Sequence, residues 1–406
     1  MTICNESIEN LTAAINTATG FLEQLSNTKN NFSRFSMSGV ERRNEHISKI
    51  NLNDVLENCV ISGLLKDDSI SDILINGPFE IYVDRYGNLE KTDIKFDSHV
   101  ELLQLAEAIT SSINKRIDPR RPLIDARLPD GSRVNIVAPP MSVDGLSISI
   151  RKFSKNHITL DTLEEYQSIT SQMNGFLQAA AICKLNIIIS GGTGTGKTTL
   201  LNAISQYIPP SERIVSIEDS IELRLQQPHV VRLESKSPEI IGDRSTEVNI
   251  RDLVTNALRM RPDRIIVGEV RGEEAYDMIQ AMNTGHDGSI TTVHANTPRD
   301  ALARLENMIG QIASPPPTAI IRKQVVSALN LIIQITRQDD GKRKITTISE
   351  IVGMEGETPV IQEIFSTKQV RGLDGKLNIK QEWSGIFPRH AKLTEYLKSN
   401  NILKNI

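Results

Sequence analysis

The sequence contains few cysteines, and their placement excludes two common uses of this residue. Only three occur among 406 residues, at Cys4, Cys59 and Cys183. An odd number at such wide spacing forms neither a disulfide framework nor a CxxC-type zinc site. We expect each to be a buried or incidental thiol of a protein from a reducing compartment.

Long apolar runs, basic excess and a targeting signal are missing as well. No apolar run approaches the ~20 residues of a transmembrane helix, and residues 1–6 (MTICNE) lack the features of a secretory signal. The formal net charge of −4 gives no reason to expect a nucleic-acid binder. We therefore expect a cytoplasmic protein that binds no nucleic acid and associates with the inner membrane only through a partner.

The length and composition indicate a globular chain of two or three domains. Charged residues make up 24% and hydrophobic residues 39%, an ordinary balance with ample material for a core. The pattern of elements predicts a mobile or weakly packed segment at 1–50, a smaller α+β domain at 51–153, a linker at 154–165, and an α/β domain with C-terminal strands and helices at 166–406. Alternating strands and helices after residue 185 favour a mostly parallel sheet flanked by helices.

A glycine-rich segment, GGTGTGKT, follows the short apolar strand LNIIIS and precedes an amphipathic stretch. It matches the phosphate-binding pattern G-x-x-x-x-G-K-[ST] in the order strand, loop, helix that the pattern requires. Glycines let backbone N–H groups approach phosphate oxygens, and the dipole of the following helix adds positive potential. We expect the phosphates to contact Gly192, Thr193, Gly194, Thr195, Gly196, Lys197, Thr198 and Thr199. Lys197 would bridge the β- and γ-phosphates, and Thr198 would hold Mg²⁺.

Two carboxylates end apolar strands of the same predicted sheet. Glu218 closes one strand, and Glu269 closes the buried strand RIIVGE. Ligands bind at the carboxyl ends of parallel strands, so we expect both at the phosphate site. Hydrolysis needs a water to be oriented or deprotonated, and either could be the general base. Glu269 is also a candidate Mg²⁺ residue, holding the ion through water.

A histidine and several arginines are further candidates for phosphate contacts. His294 ends the strand SITTVH on the predicted ligand side, whereas metal ligation is disfavoured because no third ligand has a suitable spacing. The arginine-bearing hairpin at 120–137 turns at Asp130-Gly131. It is either a solvated face or a source of phosphate contacts. Arg151, next to the predicted linker, could contribute in the same way.

Four ordered motifs give the chain a family resemblance. The segments GGTGTGKTT, SIEDSIEL, RMRPDRIIVGEVRG and TGHDGSITTVHAN resemble the Walker A, Asp-box, Walker B and His-box motifs of the type II/type IV secretion ATPase superfamily. The hairpin RRPLIDARLPDGSRVNIVAPP and the junction ISIRKF are similar to the CpaF-like branch, which powers tight-adherence (Flp) pilus assembly and related filaments. The absence of CxxC pairs disfavours the branch that carries a tetracysteine zinc insert.

The resemblance implies a fold, a cofactor and roles for particular residues. It implies a RecA-like P-loop domain with a smaller α+β N-terminal domain, ATP and Mg²⁺ as cofactors, and a homo-hexamer. Lys197, Glu218, Glu269 and His294 would be the catalytic residues. The arginines that would approach the nucleotide are Arg127, Arg133 and Arg271.

We accordingly expect a hexameric, Mg-dependent ATPase that does mechanical work on the inner-membrane platform protein of a type IV or Flp-like pilus, an archaellum-like filament or a secretion machine, possibly including retraction. The alternative within the superfamily is a type IV secretion-system ATPase. Alternatives from other classes are a nucleotide-gated scaffold with little turnover and a P-loop small-molecule kinase. The scaffold is disfavoured because both strand-end carboxylates are present, and the kinase because no lid or acceptor site is evident.

Overall fold

The computed structural model describes residues 51–85, 87–153, 158–236, 247–338, 341–371 and 377–403, with the side chains of 369–379 excepted. The expectation of a mobile N-terminal segment at 1–50 lies outside these residues. The described residues form two compact units, one ending at Phe153 and the other beginning at Ile158.

The first unit is an antiparallel sheet with three helices. The helices are α1 (Leu52–Asn58), α2 (Ser62–Lys66) and α3 (His99–Ser112). The strands are β1 (Ile70–Asn76), β2 (Ile81–Arg85), β3 (Asn88–Lys91), β4 (Leu123–Arg127), β5 (Arg133–Val137) and β6 (Ser147–Arg151). They pair in the order β3-β2-β1-β6-β5-β4. Alternating residues of β1 and β6 are buried under the helices, with Ile73, Ile75, Ile148 and Ile150 inaccessible to solvent.

The second unit is built on a nine-stranded sheet. Its strands are β7 (Ile187–Ser190), β8 (Ile214–Glu218), β9 (Val230–Glu234), β10 (Arg264–Val267), β11 (Ile290–Val293), β12 (Leu331–Arg337), β13 (Arg343–Glu355), β14 (Thr358–Arg371) and β15 (Leu377–Trp383). The order is β15-β14-β13-β12-β7-β11-β10-β8-β9. The six strands from β12 to β9 are parallel, and β13 to β15 extend the sheet antiparallel.

Helices cover both faces of the parallel part. They are α4 (Leu160–Glu165), α5 (Ser171–Ile182), α6 (Lys197–Ser205), α7 (Ile250–Ala257), α8 (Glu274–Asn283), α9 (Pro298–Ile309), α10 (Thr318–Ala328) and α11 (Ala391–Ser399). The central strands β7, β8, β10 and β11 are buried along their whole length, as expected for parallel strands with helices on both sides. The predicted α/β class is confirmed. None of the described helices is long and apolar enough to cross a membrane.

The predicted linker is wrong in its second half. Residues 160–165 form α4, and this helix buries Leu160 and Leu163 in the core of the second unit. The spacing of three residues puts both leucines on one helix face. Thr159 caps the helix by accepting a hydrogen bond from the N–H of Thr162 at 3.1 Å, so the polar composition that indicated a linker belongs to a helix N-terminus.

The C-terminal part contains the three antiparallel strands β13, β14 and β15 and the helix α11. β13 and β14 form a long hairpin in which Glu355 pairs with Thr358. The third strand, β15, pairs with β14 from Phe365 to Arg371. Its sequence, LNIKQEW, is polar at most positions. Edge strands carry such residues, and this weakens the alternating signal in the sequence.

A buried ion pair fixes the start of β10. The Arg264 side chain is fully buried and donates from Nε to Oε2 of Glu212 at 2.6 Å. Glu212 also lies 3.6 Å from Nζ of Lys184, whose side chain is 41% exposed. Removing one partner of a buried ion pair destabilises a protein much more than the intact pair stabilises it, because the remaining charge stays buried without a counter-ion.

We expect Glu212→Ala to lower the free energy of unfolding of the second unit by about 3–5 kcal/mol, because Arg264 would stay buried without its counter-ion. The matched control Lys184→Ala should cost less than about 1 kcal/mol, since this partner is half exposed. Urea unfolding followed by fluorescence of Trp383, the chain's one tryptophan, measures both. Equal losses in the two variants would contradict the assigned role of the pair.

Candidate active site

The glycine-rich loop connects β7 to α6 and has a backbone that only glycine adopts readily. Gly194 and Gly196 have φ values of +68° and +94°, in the left-handed region that disfavours side chains. Thr195 closes the loop by donating its hydroxyl to the carbonyl of Gly192 at 2.9 Å. A Cβ on Gly191 would lie 2.5 Å from the carbonyl oxygen of Ile335. The loop is thus tightly wrapped, with one side against β12.

The N-terminus of α6 has the features of an anion-binding site. Its N-cap residue, Gly196, has no side chain to accept from the first N–H groups, and the first turn contains no acidic residue. Thr198 and Thr199 lie half-buried in that turn. Free N–H groups and the helix dipole together favour a negatively charged ligand at this position.

Lys197 carries a buried positive charge whose hydrogen bonds go to neutral groups. The residue is 9% exposed, and Nζ donates to the carbonyl oxygens of Gly191 at 3.0 Å and Gly192 at 2.9 Å. Within the described residues no carboxylate lies in ion-pair contact with it. Burial lowers the pKa of Lys197, and the nearby charge of Glu269 opposes this shift. An anion in the loop would supply the missing charge partner.

The register of the parallel strands brings the other candidates to the same edge. Val267 of β10 pairs with Ile217 of β8 and with Thr291 of β11. Val293 of β11 pairs with Ser190 of β7, directly before the loop. Glu218 is the last residue of β8, and Glu269 and His294 follow the neighbouring strands β10 and β11, so all three lie at the carboxyl edge of the sheet, as the sequence predicted. His286 precedes β11, so it belongs to the opposite edge, where Nδ1 lies 3.2 Å from the carbonyl oxygen of Ala281.

Glu218 is buried and bound to the backbone that follows it. Oε1 accepts from the N–H groups of Glu222 at 2.9 Å and Leu223 at 3.0 Å, and the residue is 4% exposed. Its Cγ lies 3.0 Å from where a Cβ on Gly268 would be. This carboxylate therefore organises the segment after β8 as well as standing beside β10.

Glu269 is held by an arginine from its own loop. Arg271 donates from Nη2 to Oε2 of Glu269 at 2.7 Å, and its Nη1 lies 3.4 Å from Oδ2 of Asp219. The hydrogen bond that Arg271 donates to Glu269 raises the pKa of Arg271, although partial burial opposes this shift. The Glu269 side chain is 25% exposed, so water reaches this carboxylate more easily than that of Glu218. Its surroundings suit a group that acts on water or on a hydrated ion.

The segment around His294 is joined to the strand that leads into the loop. The carbonyl oxygen of Ala295 accepts from the Ser190 hydroxyl at 3.3 Å and from the Gln334 amide at 3.2 Å. His294 is half-buried. These two polar contacts, which the sequence did not predict, couple the position of His294 to β7 and β12.

The structure places the N-terminal arginines in one row of the first unit. Arg127 pairs with Arg133, and Arg133 pairs with Arg151 in the next strand. The row continues to Asp72, whose Oδ1 accepts from Nε of Arg151 at 3.0 Å. This row concentrates positive charge at one end of the sheet. Like charges in such facing positions repel each other.

One further contact to the loop was missed from the sequence. Arg343, the first residue of β13, donates from Nε to the carbonyl oxygen of Gly194 at 2.9 Å. The two residues are 149 positions apart, and no motif marks Arg343. Only the pairing of β13 with β12 places it there.

Comparison with known proteins identifies the family. Residues 55–380 match the family described as Type II/IV secretion system protein. The chain belongs to this family. It is 34% identical over 330 residues to the type IV secretion system protein VirB11 of Bartonella quintana, covering 71% of this chain and 90% of that one. It is 33% identical over 308 residues to a putative conjugal transfer protein of Mycobacterium tuberculosis, covering 74% and 86%.

A solved structure shares the fold. The crystal structure of the pilus retraction motor PilT with bound ADP matches with a TM-score of 0.52 at 19% identity, covering 86% of each chain. The architecture is accordingly that of the secretion ATPases, a RecA-like domain with a smaller N-terminal domain. ATP binding, which the sequence predicted, is a property of this family.

The residues present fit a magnesium ion held jointly with a phosphate ligand. Within the described ranges, no group of three or more His, Cys, Asp or Glu residues could hold a metal by itself. Mg²⁺ takes few protein ligands and completes its shell with water and substrate phosphates. The half-buried Thr198 hydroxyl and the partly exposed Glu269 carboxylate supply oxygen donors of the right kind.

The different surroundings of the two carboxylates predict different effects on stability. Glu218→Gln should lower the free energy of unfolding by about 1–3 kcal/mol. The amide keeps one accepting oxygen but loses the negative charge that strengthens the hydrogen bonds from Glu222 and Leu223, and its NH2 group replaces an oxygen that lies 3.3 Å from the N–H of Leu223. Glu269→Gln should change it by less than about 1 kcal/mol, since its ion pair is partly exposed. Urea unfolding followed by Trp383 fluorescence compares the two. A larger loss in Glu269→Gln would show that the structural roles are reversed.

Proposed function

We propose that this protein is an ATPase that hydrolyses ATP, with Mg²⁺, to drive a secretion or filament machine. The observation that carries the proposal is the buried ammonium of Lys197, which bonds neutral carbonyls inside a glycine-rich loop that opens on an uncapped helix N-terminus. Family membership supports the same ligand. When bound, Mg-ATP supplies the phosphoanhydride bond that is cleaved and the metal charge that stabilises ADP as the leaving group.

The loop residues would bind and orient the phosphates. Backbone N–H groups of residues 192–199 would donate to the phosphates, and Lys197 would exchange its carbonyl partners for the β- and γ-phosphate oxygens. The Thr198 hydroxyl would hold the ion. This exchange pairs a charge that is otherwise buried without a counter-ion, so binding relieves an electrostatic cost that the fold has built in.

The strand-end residues would act on water. Glu269, partly exposed, orients or deprotonates the attacking water and contacts the hydrated ion. Glu218 is the second carboxylate at this edge, and its hydrogen bonds to residues 222 and 223 favour a supporting part. Arg271 balances the charge of Glu269, and His294 contacts or senses the γ-phosphate from the end of β11.

The arginine row of the first unit would bring positive charge to the nucleotide. Arg127, Arg133 and Arg151 stand side by side across three strands, a density of charge that suits triphosphate recognition. In a homo-hexamer, such a row would complete the site and link nucleotide state to movement of the N-terminal domain. That movement would act on the membrane platform protein.

The relatives favour type IV secretion or conjugal transfer as the process served. Both named relatives cover more than two thirds of this chain, and their names place them in those processes. Assembly of a type IV or Flp-like pilus is the second candidate, supported by the hairpin at 120–140 and the junction at 148–153, which resemble the CpaF-like branch.

Two substitutions test the proposed chemistry with separate expectations. Lys197→Ala should abolish nucleotide binding and phosphate release together, because it removes the group that pairs with the phosphates. Glu269→Gln should retain binding of a fluorescent ADP analogue while phosphate release falls at least about 100-fold, in the range of lost general base catalysis.

Glu382→Gln is the matched control, because this carboxylate lies on β15 between Lys368 and Lys380. It should hydrolyse ATP at the wild-type rate. Full turnover in both Lys197→Ala and Glu269→Gln would rule out the assignment of the site.

A further inference from the structure

The hairpin of β12 and β13 packs against the glycine-rich loop. At one end of the loop, the carbonyl of Ile335 packs against Gly191, where a Cβ would be only 2.5 Å away. At the other end, the Cδ of Arg343 lies 3.2 Å from where a Cβ on Gly196 would be. The Arg343 guanidinium reaches between these points to the carbonyl of Gly194.

The contacts of Arg343 fall on the two glycines of the loop that have positive φ. Gly194 and Gly196 both have positive φ, and glycine loses more backbone entropy on ordering than any other residue. A charge-assisted hydrogen bond to one glycine and packing of the aliphatic side chain over the other restrict both at once. The loop therefore depends on a residue outside its own motif for its conformation.

A shift in register positions this end of the hairpin. The pairing of β12 with β13 changes between Gln334 and Ile335, so that Gln334 faces Thr347 and Ile335 faces Ile345. Thr346 is the extra residue, and its hydroxyl lies 3.3 Å from the Gln334 carbonyl. Bulges of this kind bend the strand and redirect side chains, and beyond this one Arg337 pairs with Arg343.

We infer that Arg343 is a positioning residue for nucleotide binding. Its contacts from β13 hold the glycine-rich loop in its anion-binding conformation. Nε forms the contact to Gly194, and within the described residues Nη1 and Nη2 have no partner. Because Arg343 acts on the loop and not on the reacting atoms, it should affect ground state and transition state alike. The kinetic part of this inference rests on the proposed function, whereas the conformational part does not.

The conformational test uses amide hydrogen exchange of the full-length protein without nucleotide. In Arg343→Ala, peptides covering residues 191–199 should exchange at least about tenfold faster than in the wild type, because local opening is no longer opposed by the contact. Arg343→Lys keeps a charged donor and should restore part of the protection. Lys344→Ala, the next position on β13 with its side chain on the other face, should match the wild type.

The kinetic test uses a fluorescent ADP analogue and phosphate release in the same variants. Arg343→Ala should raise the Kd and the KM for ATP about tenfold, the loss expected for one charge-assisted hydrogen bond, with kcat within about twofold. Arg343→Lys should lie between it and the wild type, and Lys344→Ala should be unchanged.

The two tests separate failure of the inference from failure of the proposed function. Wild-type exchange in residues 191–199 of Arg343→Ala overturns the inference, even if the protein is an active ATPase. Faster exchange in that variant, with a wild type that binds no nucleotide, supports the loop contact and overturns the function. A fall in kcat with unchanged KM would also contradict a positioning role.

Discussion

The ammonium group of Lys197 is buried, and its two hydrogen bonds go to neutral carbonyl oxygens. Placing a charge in such surroundings costs free energy, which is why burial lowers its pKa. The turn from β7 into α6 makes Lys197 the first residue of the helix, with Nζ against the carbonyl oxygens of Gly191 and Gly192. An anionic ligand is the partner that these surroundings lack, and the remaining features of the second unit gather around that position.

The parallel sheet brings these site residues together. Since β7, β11, β10 and β8 are neighbours in register, the residues that follow each strand meet along one edge. The surroundings of the two carboxylates differ. Glu218 accepts a hydrogen bond from the backbone after β8, whereas Glu269 shares a partly exposed ion pair with Arg271. The antiparallel extension adds a contact to the loop, because the pairing of β13 with β12 places Arg343 where its Nε donates to the carbonyl of Gly194.

Much of this arrangement could be predicted from sequence because its signals are local. The glycine-rich loop, the apolar strands and the carboxylates that end them are contiguous patterns, and the rule for parallel sheets brings them together. The contacts to Gly194 and Ala295 could not be predicted in this way, since they join residues far apart in the chain through a pairing register. The second half of the linker predicted at 154–165 is wrong for the opposite reason, because its signal is local but ambiguous. The capping residues of a short helix resemble linker composition, and only the spacing of Leu160 and Leu163 reveals the buried face.

We propose that nucleotide turnover belongs to an assembly whose subunits complete one another's sites. The most direct measurement follows steady-state phosphate release against protein concentration, with molar mass determined by light scattering with and without ATP. We expect turnover per subunit to rise together with a shift toward about six subunits, because assembly would complete the site. A monomer that binds ATP and releases no phosphate at any concentration would contradict it and would favour a nucleotide-gated scaffold.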